Sequence, residues 1–502
     1  MTRRPQLFAF GLLAVSTGCV TIGPKYERPT APQPETDQFK EARALGPAAP
    51  KDDSIRADFW QIFADPRLNE LEQQVDTANQ SIAASYASFK AARAMVRQAE
   101  AQLWPSLSLA PTATAQNGPA GPSAAGGRTS VSGRFNQYSL PVTASWAPDL
   151  WGRIENTLSQ SVANAQVSAA DLENQRLLQH AELAVYYFEL QGQDQLQAIF
   201  NSTVEAYRQT LELTKALAKT GIDSDEAVAQ AETQLEAAEA QAIDLGIARA
   251  QYEHAIATLL GRPASAFSLP PRPLNAQPPM VPLTVPSRLL ERRPDIAAAE
   301  RAVAAANAQI GVAETAYYPT LNLSASAGWG AASLAGLTQL PLFFWSVGAT
   351  LSETLFDAGL RGAVVEQARA QYEATVASYR QTVLTAFQQV EDDLAGLRLV
   401  ADELKQQRAA VVSAQRYLTI ATNRYRLGLD PYLDVIAAQS TLLQAQRSEA
   451  TLAMQEMTLS VQLIEALGGG WNDKQLPSRD ELTKGDGSVL KQRPEGEGAS
   501  TH

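Results

Sequence analysis

The sequence predicts a mainly α-helical chain that also carries membrane-crossing β-strands, built as one helix/strand-hairpin unit written twice. Three observations predict this. Segments recur at offsets of about 205 to 214 residues: Asn79 to Leu109, ending AEAQLWPSLSL, lines up with Arg293 to Leu323, ending AETAYYPTLNL, Leu150-Trp151 pairs with Leu355-Phe356, and Gly221-Ile222-Asp223 pairs with Gly428-Leu429-Asp430. Four stretches of roughly ten residues alternate apolar with small or polar side chains, the period of a strand with one apolar face, and that length lets a tilted strand cross a bilayer. Proline is absent from Asp149 through Arg262 and from Leu342 through Asp430. Helices of unusual length can form there: Ile154 to Thr220 would span on the order of 100 Å at about 1.5 Å per residue.

Residues 1–18 read as a secretory signal peptide, with Arg3 and Arg4 before an apolar run from Leu7 to Val15. Small residues Ser16, Thr17 and Gly18 then lead into Cys19. This layout resembles a bacterial lipoprotein signal, in which Cys19 becomes the lipidated first residue, and Val20 after it permits sorting to the outer membrane. Ser16 departs from that pattern, which usually has leucine, and the alternative is that Cys19 is an incidental or buried thiol. Residues 19–68 form an extended N-terminal segment.

The first repeat covers 69–262, with a hairpin at about 105–148. Leu107, Leu109, Ala113 and Ala115 mark one strand, and Tyr138, Leu140, Val142, Ala144 and Trp146 the other. The Gly/Ser-rich stretch 118–133 between them reads as a surface loop. A proline-rich link, 263–286, holds only extended or turn structure. The second repeat covers 287–470, with its hairpin at about 319–353 carried by Leu321 to Trp329 and Phe343 to Leu351. In its long helix Phe387, Val390, Leu394, Leu397, Ala401 and Leu404 step by 3 and 4, as in a coiled coil or an antiparallel bundle. The polar tail 471–502 is expected to be disordered. The same alternation fits a soluble sandwich, but the aromatic residues at the strand ends, among them Trp104, Trp146, Trp151, Tyr317, Tyr318 and Trp345, suit the interfacial girdles of a membrane barrel.

Composition removes other classes. The formal charge is −12, from 41 basic and 53 acidic residues without a basic block, which speaks against nucleic acid. One cysteine allows no intrachain disulfide, and His180, His254 and His502 are too scattered for a sequence-local metal site, so no cofactor is expected. No apolar run of 18 or more follows the first twenty residues, which leaves strands as the means of crossing a membrane. No catalysis is expected either: Glu391-Asp392-Asp393 lies in a helical seam, where exposed or paired charge is the simpler account.

Longer strings carry a specific resemblance. Cys19-Val-Thr-Ile-Gly-Pro-Lys-Tyr-Glu-Arg-Pro29, Phe59-Trp-Gln-Ile-Phe-Ala-Asp-Pro-Arg-Leu68, LLERRPDI from Leu289 to Ile296, and NAQIGVA from Asn307 to Ala313 are similar to the outer-membrane efflux lipoproteins of the TolC superfamily, NodT subgroup. The resemblance implies a homotrimer whose long coiled-coil helices form an α-barrel through the periplasm and whose four strands per chain contribute to a shared 12-strand barrel. Four strands cannot close a barrel alone, and open edges are not tolerated in lipid. It implies a lipid-anchored protein of the bacterial outer membrane, a passive duct of a tripartite efflux system, working with a periplasmic adaptor and an inner-membrane transporter. The alternatives are a duct for type I protein secretion and a structural periplasmic coiled-coil lipoprotein without a channel.

The resemblance also implies a gate at the periplasmic tips, where Tyr425, Asp430, Leu433 and Asp434 fall in the segment that lines the narrowest point. Asp434 holds an acidic gate position, whereas Ala437 stands where many relatives have a second aspartate and Asp430 where some have arginine. Tyr425 matches a tyrosine that links neighbouring helices. The repeat-related tip carries Gly221, Asp223, Asp225 and Glu226, with Gly428 the counterpart of Gly221; glycine at each suits a helix end. The competing role for Asp430 and Asp434 is capping of the return helix.

Overall fold

A computed structural model describes residues 21–32, 39–41, 58–119, 132–275, 278–279, 291–336 and 343–484. The first repeat contains α1 (Pro66–Ala78), α2 (Gln80–Ala101), β1 (Ser106–Leu109), β2 (Thr112–Pro119), β3 (Ser132–Trp146), α3 (Arg153–Lys219) and α4 (Asp225–Leu259). The second contains α5 (Pro294–Thr315), β4 (Thr320–Ala331), β5 (Phe343–Ser352), α6 (Leu360–Arg426) and α7 (Tyr432–Ala466), and a short α8 (Arg479–Thr483) follows. The duplication is metrical. Helices α2 and α5 both have 22 residues, α3 and α6 both have 67, and α4 and α7 both have 35. At about 1.5 Å per residue the long helices reach roughly 100 Å, and a shorter pair covers each of them end to end. Thus α2 and α4 pack along α3, and α5 and α7 along α6.

The strands form one antiparallel sheet in the order β1/β2, β3, β4, β5. The first hairpin strand is broken into β1 and β2 at Ala110-Pro111, because Pro111 has no N–H to give the ladder. Register sorts the side chains by face. The rows Leu107–Ala144–Ala325–Val347 and Leu109–Val142–Ala327–Trp345 run across one side. The rows Ser106–Ser145–Ser324–Gly348 and Ser108–Thr143–Ser326–Ser346 run across the other. Leu107, Leu109, Trp345, Val347 and Leu351 are exposed. A sandwich would bury that face under a second sheet, and none is present among the described residues. The sheet therefore has an apolar side, a hydroxyl-rich side and, among the described residues, two free edges, β1/β2 and β5.

The helices are held by local chemistry that the sequence spells out. Asp65 accepts from the backbone N–H of Arg67 at 2.9 Å and starts α1, with Pro66 in the first helical turn. Asn79 caps α2 by accepting from Ser81 N–H and Ile82 N–H at 2.9 and 3.1 Å. Helix α1 is then tied to α3 by a buried polar group. His180 Nδ1 stands 2.7 Å from Glu72 Oε2, its Nε2 stands 3.4 Å from Asp76 Oδ1, and its ring stacks on Trp60 at 4.4 Å. Burial opposes charge on His180, but the two carboxylates outweigh it and push the imidazole up to about 9, while burial pushes Glu72 up to about 7.

Four expectations need correction. The segment 19–68, expected to be extended, ends in a 3-10 turn at Phe59–Phe63 whose Phe59, Trp60 and Phe63 are buried, and α1 already starts at Pro66, because Asp65 caps it. Residues 471–484, expected to belong to a disordered tail, are folded: Leu482 is fully buried against α2 and α3, and the buried Arg93 guanidinium donates to the carbonyls of Glu481, Leu482 and Lys484 at the end of α8. Those partners lie hundreds of residues away in sequence, so a polar composition alone reads as loose. The surface loop read at 118–133 is shorter, because β2 runs through Pro119 and β3 starts at Ser132. In the α6 seam Val390, Leu394 and Leu404 are buried as expected, but Val400 is buried and Ala401 exposed, a one-residue slip of the repeat. Of the acidic run beside it, Glu391 accepts from Lys40 N–H at 2.7 Å and Glu41 N–H at 3.0 Å. Burial, with Glu465 nearby, pushes Asp393 up to about 7.

Candidate gate at the helical tips

The two long helices end in the same backbone device. At the end of α3, Gly221 adopts φ +73°, its N–H donates to Ala218 O at 3.0 Å, and Ile222 N–H donates to Leu217 O at 3.1 Å. At the end of α6, Gly428 adopts φ +70°, its N–H donates to Tyr425 O at 2.9 Å, and Leu429 N–H donates to Arg424 O at 3.0 Å. This pair of bonds requires a left-handed residue just after the helix, which is why glycine recurs at both places. The return helices start differently. Ser224 caps α4 through a bond from Ala227 N–H at 3.2 Å, whereas α7 starts after Pro431 with no side-chain cap.

The fold brings the two tips together. Tyr425, only 3 % exposed, donates its hydroxyl to Asp223 Oδ2 at 2.5 Å and stands 3.0 Å from Thr214 Oγ1, linking α6 to α3 and to the other turn. Burial and the neighbouring carboxylate hold the Tyr425 phenol above its usual range, so it remains a donor. Its ring lies 5.5 Å from that of Tyr432 in a small apolar core with Leu211, Ala227, Ala231 and Val435. Farther along, Gln439 Nε2 donates to Thr210 Oγ1 at 3.1 Å and Gln234 Nε2 to Ser440 Oγ at 3.2 Å.

Asp430 caps nothing. It pairs with Arg424 through two bonds, at 2.5 and 2.8 Å, and those bonds hold its carboxyl below the usual range. Asp434, half-buried in the first turn of α7, also acts on Arg424 through its charge. One cation thus stands between two carboxylates, leaving a net charge of −1 in this group. Leu433 is exposed, as are Ile222, Leu427 and Leu429, so the tip ends in an apolar rim. Asp225 and Glu226 are exposed in the first turn of α4, near its positive end. The sequence reading did not single out Arg424, Thr214, Tyr432 or Gln439. Arg424 and Asp430 lie six residues apart across a turn, a spacing that helical periodicity does not mark.

Cys19 lies outside the described residues. The segment just after it is fixed near the roots of the strands. Ile22 N–H donates to Trp151 O at 3.0 Å, Asn156 Nδ2 donates to Ile22 O at 2.8 Å, and Asn307 Nδ2 donates to Pro24 O at 2.9 Å. A Cβ on Gly23 would fall 2.6 Å from Gly311 Cα, so this crossing needs glycine.

Comparison with known proteins gives a consistent result. Residues 71–262 and 285–469 match the family described as outer membrane efflux protein. The chain is 31 % identical over 472 residues to the probable efflux pump outer membrane protein TtgC of Pseudomonas putida, covering 93 % of this chain and 96 % of that one. It is 31 % identical over 479 residues to outer membrane protein OprJ of Pseudomonas aeruginosa, covering 93 % and 97 %. The structure of the outer-membrane channel OprN superposes with a TM-score of 0.82 at 28 % identity, over 90 % of this chain and 99 % of that one.

Proposed function

From the premise that this chain belongs to the outer membrane efflux protein family, we propose that three copies assemble into one continuous passive duct. The protein is an outer-membrane efflux channel. The observation that carries the proposal is the sheet, with an apolar face, a hydroxyl-rich face and two free edges. A four-stranded sheet in lipid must close on copies of itself. Two copies would give eight strands and an interior filled by side chains, whereas three give twelve and leave a lumen that the serine and threonine rows would line. The coiled helices would continue that lumen through the periplasm.

At the far end the tips form the gate. The bond from Tyr425 to Asp223 holds the two hairpins of each chain together, and Asp434 from three copies makes a ring of carboxylates whose field Arg424 partly offsets. The apolar rim of Ile222, Leu427, Leu429 and Leu433 is the surface that docks a periplasmic adaptor, which in turn connects to an inner-membrane transporter. Cys19 carries the lipid anchor, and the strap at Ile22 to Pro24 delivers it to the level of the strand roots. Purified protein in planar bilayers tests the reading. Discrete ion conductance from a species with the mass of three chains is expected, and a stable monomer that conducts would refute the shared barrel.

A further inference from the structure

The two repeats pack a short helix on a long one in the same way, α2 on α3 and α5 on α6, and each pair leaves a groove just below the strands. In the first repeat the end of the chain fills it. Leu482 is buried with Val96, Ala99 and Leu158, Leu476 packs beside Leu103 and Val162, Gln166 Nε2 donates to Pro477 O at 3.0 Å, and Arg479 pairs with Glu155 at 3.0 Å. In the second repeat no described residue fills the groove. A cavity of about 700 Å³ stands there, with Glu314, Tyr317, Tyr318, Glu366, Arg369 and Glu373 in its walls.

Residues at matching places on the two long helices explain the difference. Gly362 stands where the first repeat has Glu155, Arg369 where it has Val162, and Glu373 where it has Gln166, each at the same distance from its helix start. An apolar tail cannot settle on those charges without stripping their water. The floor of the groove is still apolar, because Val365 is buried with Ile310 and Ala313, and a Cβ on Gly362 would stand 3.5 Å from the Tyr317 hydroxyl, which leaves little to spare for a larger residue. Arg369 donates to Glu314 at 2.8 Å, whereas Glu366 and Glu373 are exposed and have no bonding partner among the described residues. Three carboxylates against one guanidinium leave a net charge of −2, so the groove is set to take a cation.

Position in the fold selects the cation. Tyr317 and Tyr318, 45 % and 40 % exposed, stand just before β4, at the level where aromatic residues meet a bilayer surface. Ile22, which also lines the cavity, lies three residues after Cys19. We propose that this groove binds the ethanolamine headgroup of phosphatidylethanolamine from the leaflet at the strand roots, an inference that rests on the apolar side of the sheet facing lipid. The primary ammonium has three N–H donors for Glu366 and Glu373. Arg361, whose guanidinium lies 5.2 Å from the centre of the Tyr317 ring, stands five residues nearer the strands than Glu366, about 7.5 Å along the helix, and takes the phosphate. The acyl chains then run along the apolar side past the exposed Leu351, Leu355 and Phe356. Choline has no N–H for the carboxylates and glycerol brings no cation, so the groove tells these headgroups apart.

Native mass spectrometry of the full chain in detergent tests the site, with phosphatidylethanolamine, phosphatidylcholine and phosphatidylglycerol of the same acyl chains each added at equal concentration. The ethanolamine lipid should be retained at one per chain and several-fold above the other two. E366Q/E373Q should bring it down to their level, while E403Q, at an exposed position far along α6, should not. Equal retention of the three lipids, preference for phosphatidylglycerol, or undiminished binding in E366Q/E373Q overturns the site. A lower assembly mass in E366Q/E373Q than in the wild type would assign the groove to a neighbouring copy and overturn it as well. Conductance of the same preparation in planar bilayers separates the two failures. A conducting protein without the lipid preference loses only the site, and one that does not conduct loses the placement of the sheet in lipid on which the site depends.

Discussion

Replacing Tyr425 with phenylalanine removes one oxygen from the tip and little else, because the ring stays in its core beside Tyr432. The lost hydroxyl donates at 2.5 Å to Asp223, which is half-buried and retains a bond from Ser224 N–H at 2.8 Å. A hydrogen bond to a charged group contributes about 1.5 to 3 kcal/mol, and the lower end fits a carboxylate that keeps a second donor and some solvent. At about 1.5 kcal/mol the equilibrium between closed and open tips shifts roughly tenfold in each chain. If three tips open together the shift approaches about a thousandfold, and if they open independently it stays near tenfold per tip. Single-channel recording of the purified protein reads this directly. Y425F should raise conductance or open probability at least several-fold. Tyr432→Phe, whose hydroxyl makes no hydrogen bond among the described residues, should leave both within twofold. A Y425F protein with wild-type conductance and open probability would refute the link as a gate and leave Tyr425 as packing.

Asp434→Asn should weaken cation selectivity and block by multivalent cations. Asp430→Asn should shift reversal potentials further toward anions, because it frees Arg424 from a two-bond pair; equal effects would remove the pairing from the gate. Cys19→Ser should abolish incorporation of a labelled fatty acid in cells, and an unlabelled wild-type protein would refute the anchor. Leu482→Ala should lower the stability of the detergent-solubilised protein by about 2 to 5 kcal/mol, read as a lower melting temperature, since Leu482 is fully buried between α2 and α3. Both His180 and Glu72 hold their protons to higher pH folded than unfolded. Their contribution is complete at low pH and is lost as pH rises through about 7 and then about 9. Melting temperature should therefore fall between pH 6 and pH 9, and His180→Gln should flatten that slope.

Features that depend on neighbours along the chain are legible in the residues themselves. Proline-free spans set the two 67-residue helices, period-two alternation set the strands and their apolar face, and glycine marked both tips because a left-handed residue must end each helix. Repetition at a fixed offset supplied the architecture, since two similar units must fold alike. Which distant groups meet follows only from how the helices pack. The Tyr425–Asp223 bond spans 202 residues, Arg93 reaches a tail nearly 390 residues away, and Val400 takes the buried place that strict spacing gave to Ala401. Arg424 illustrates the limit at short range: its partner lies across a turn whose path is set by Gly428, so the pairing follows from backbone direction and not from helical period. Periodicity encodes the face a residue presents, whereas its partner depends on how whole helices are placed side by side, and that placement is settled by packing summed over the length of each helix.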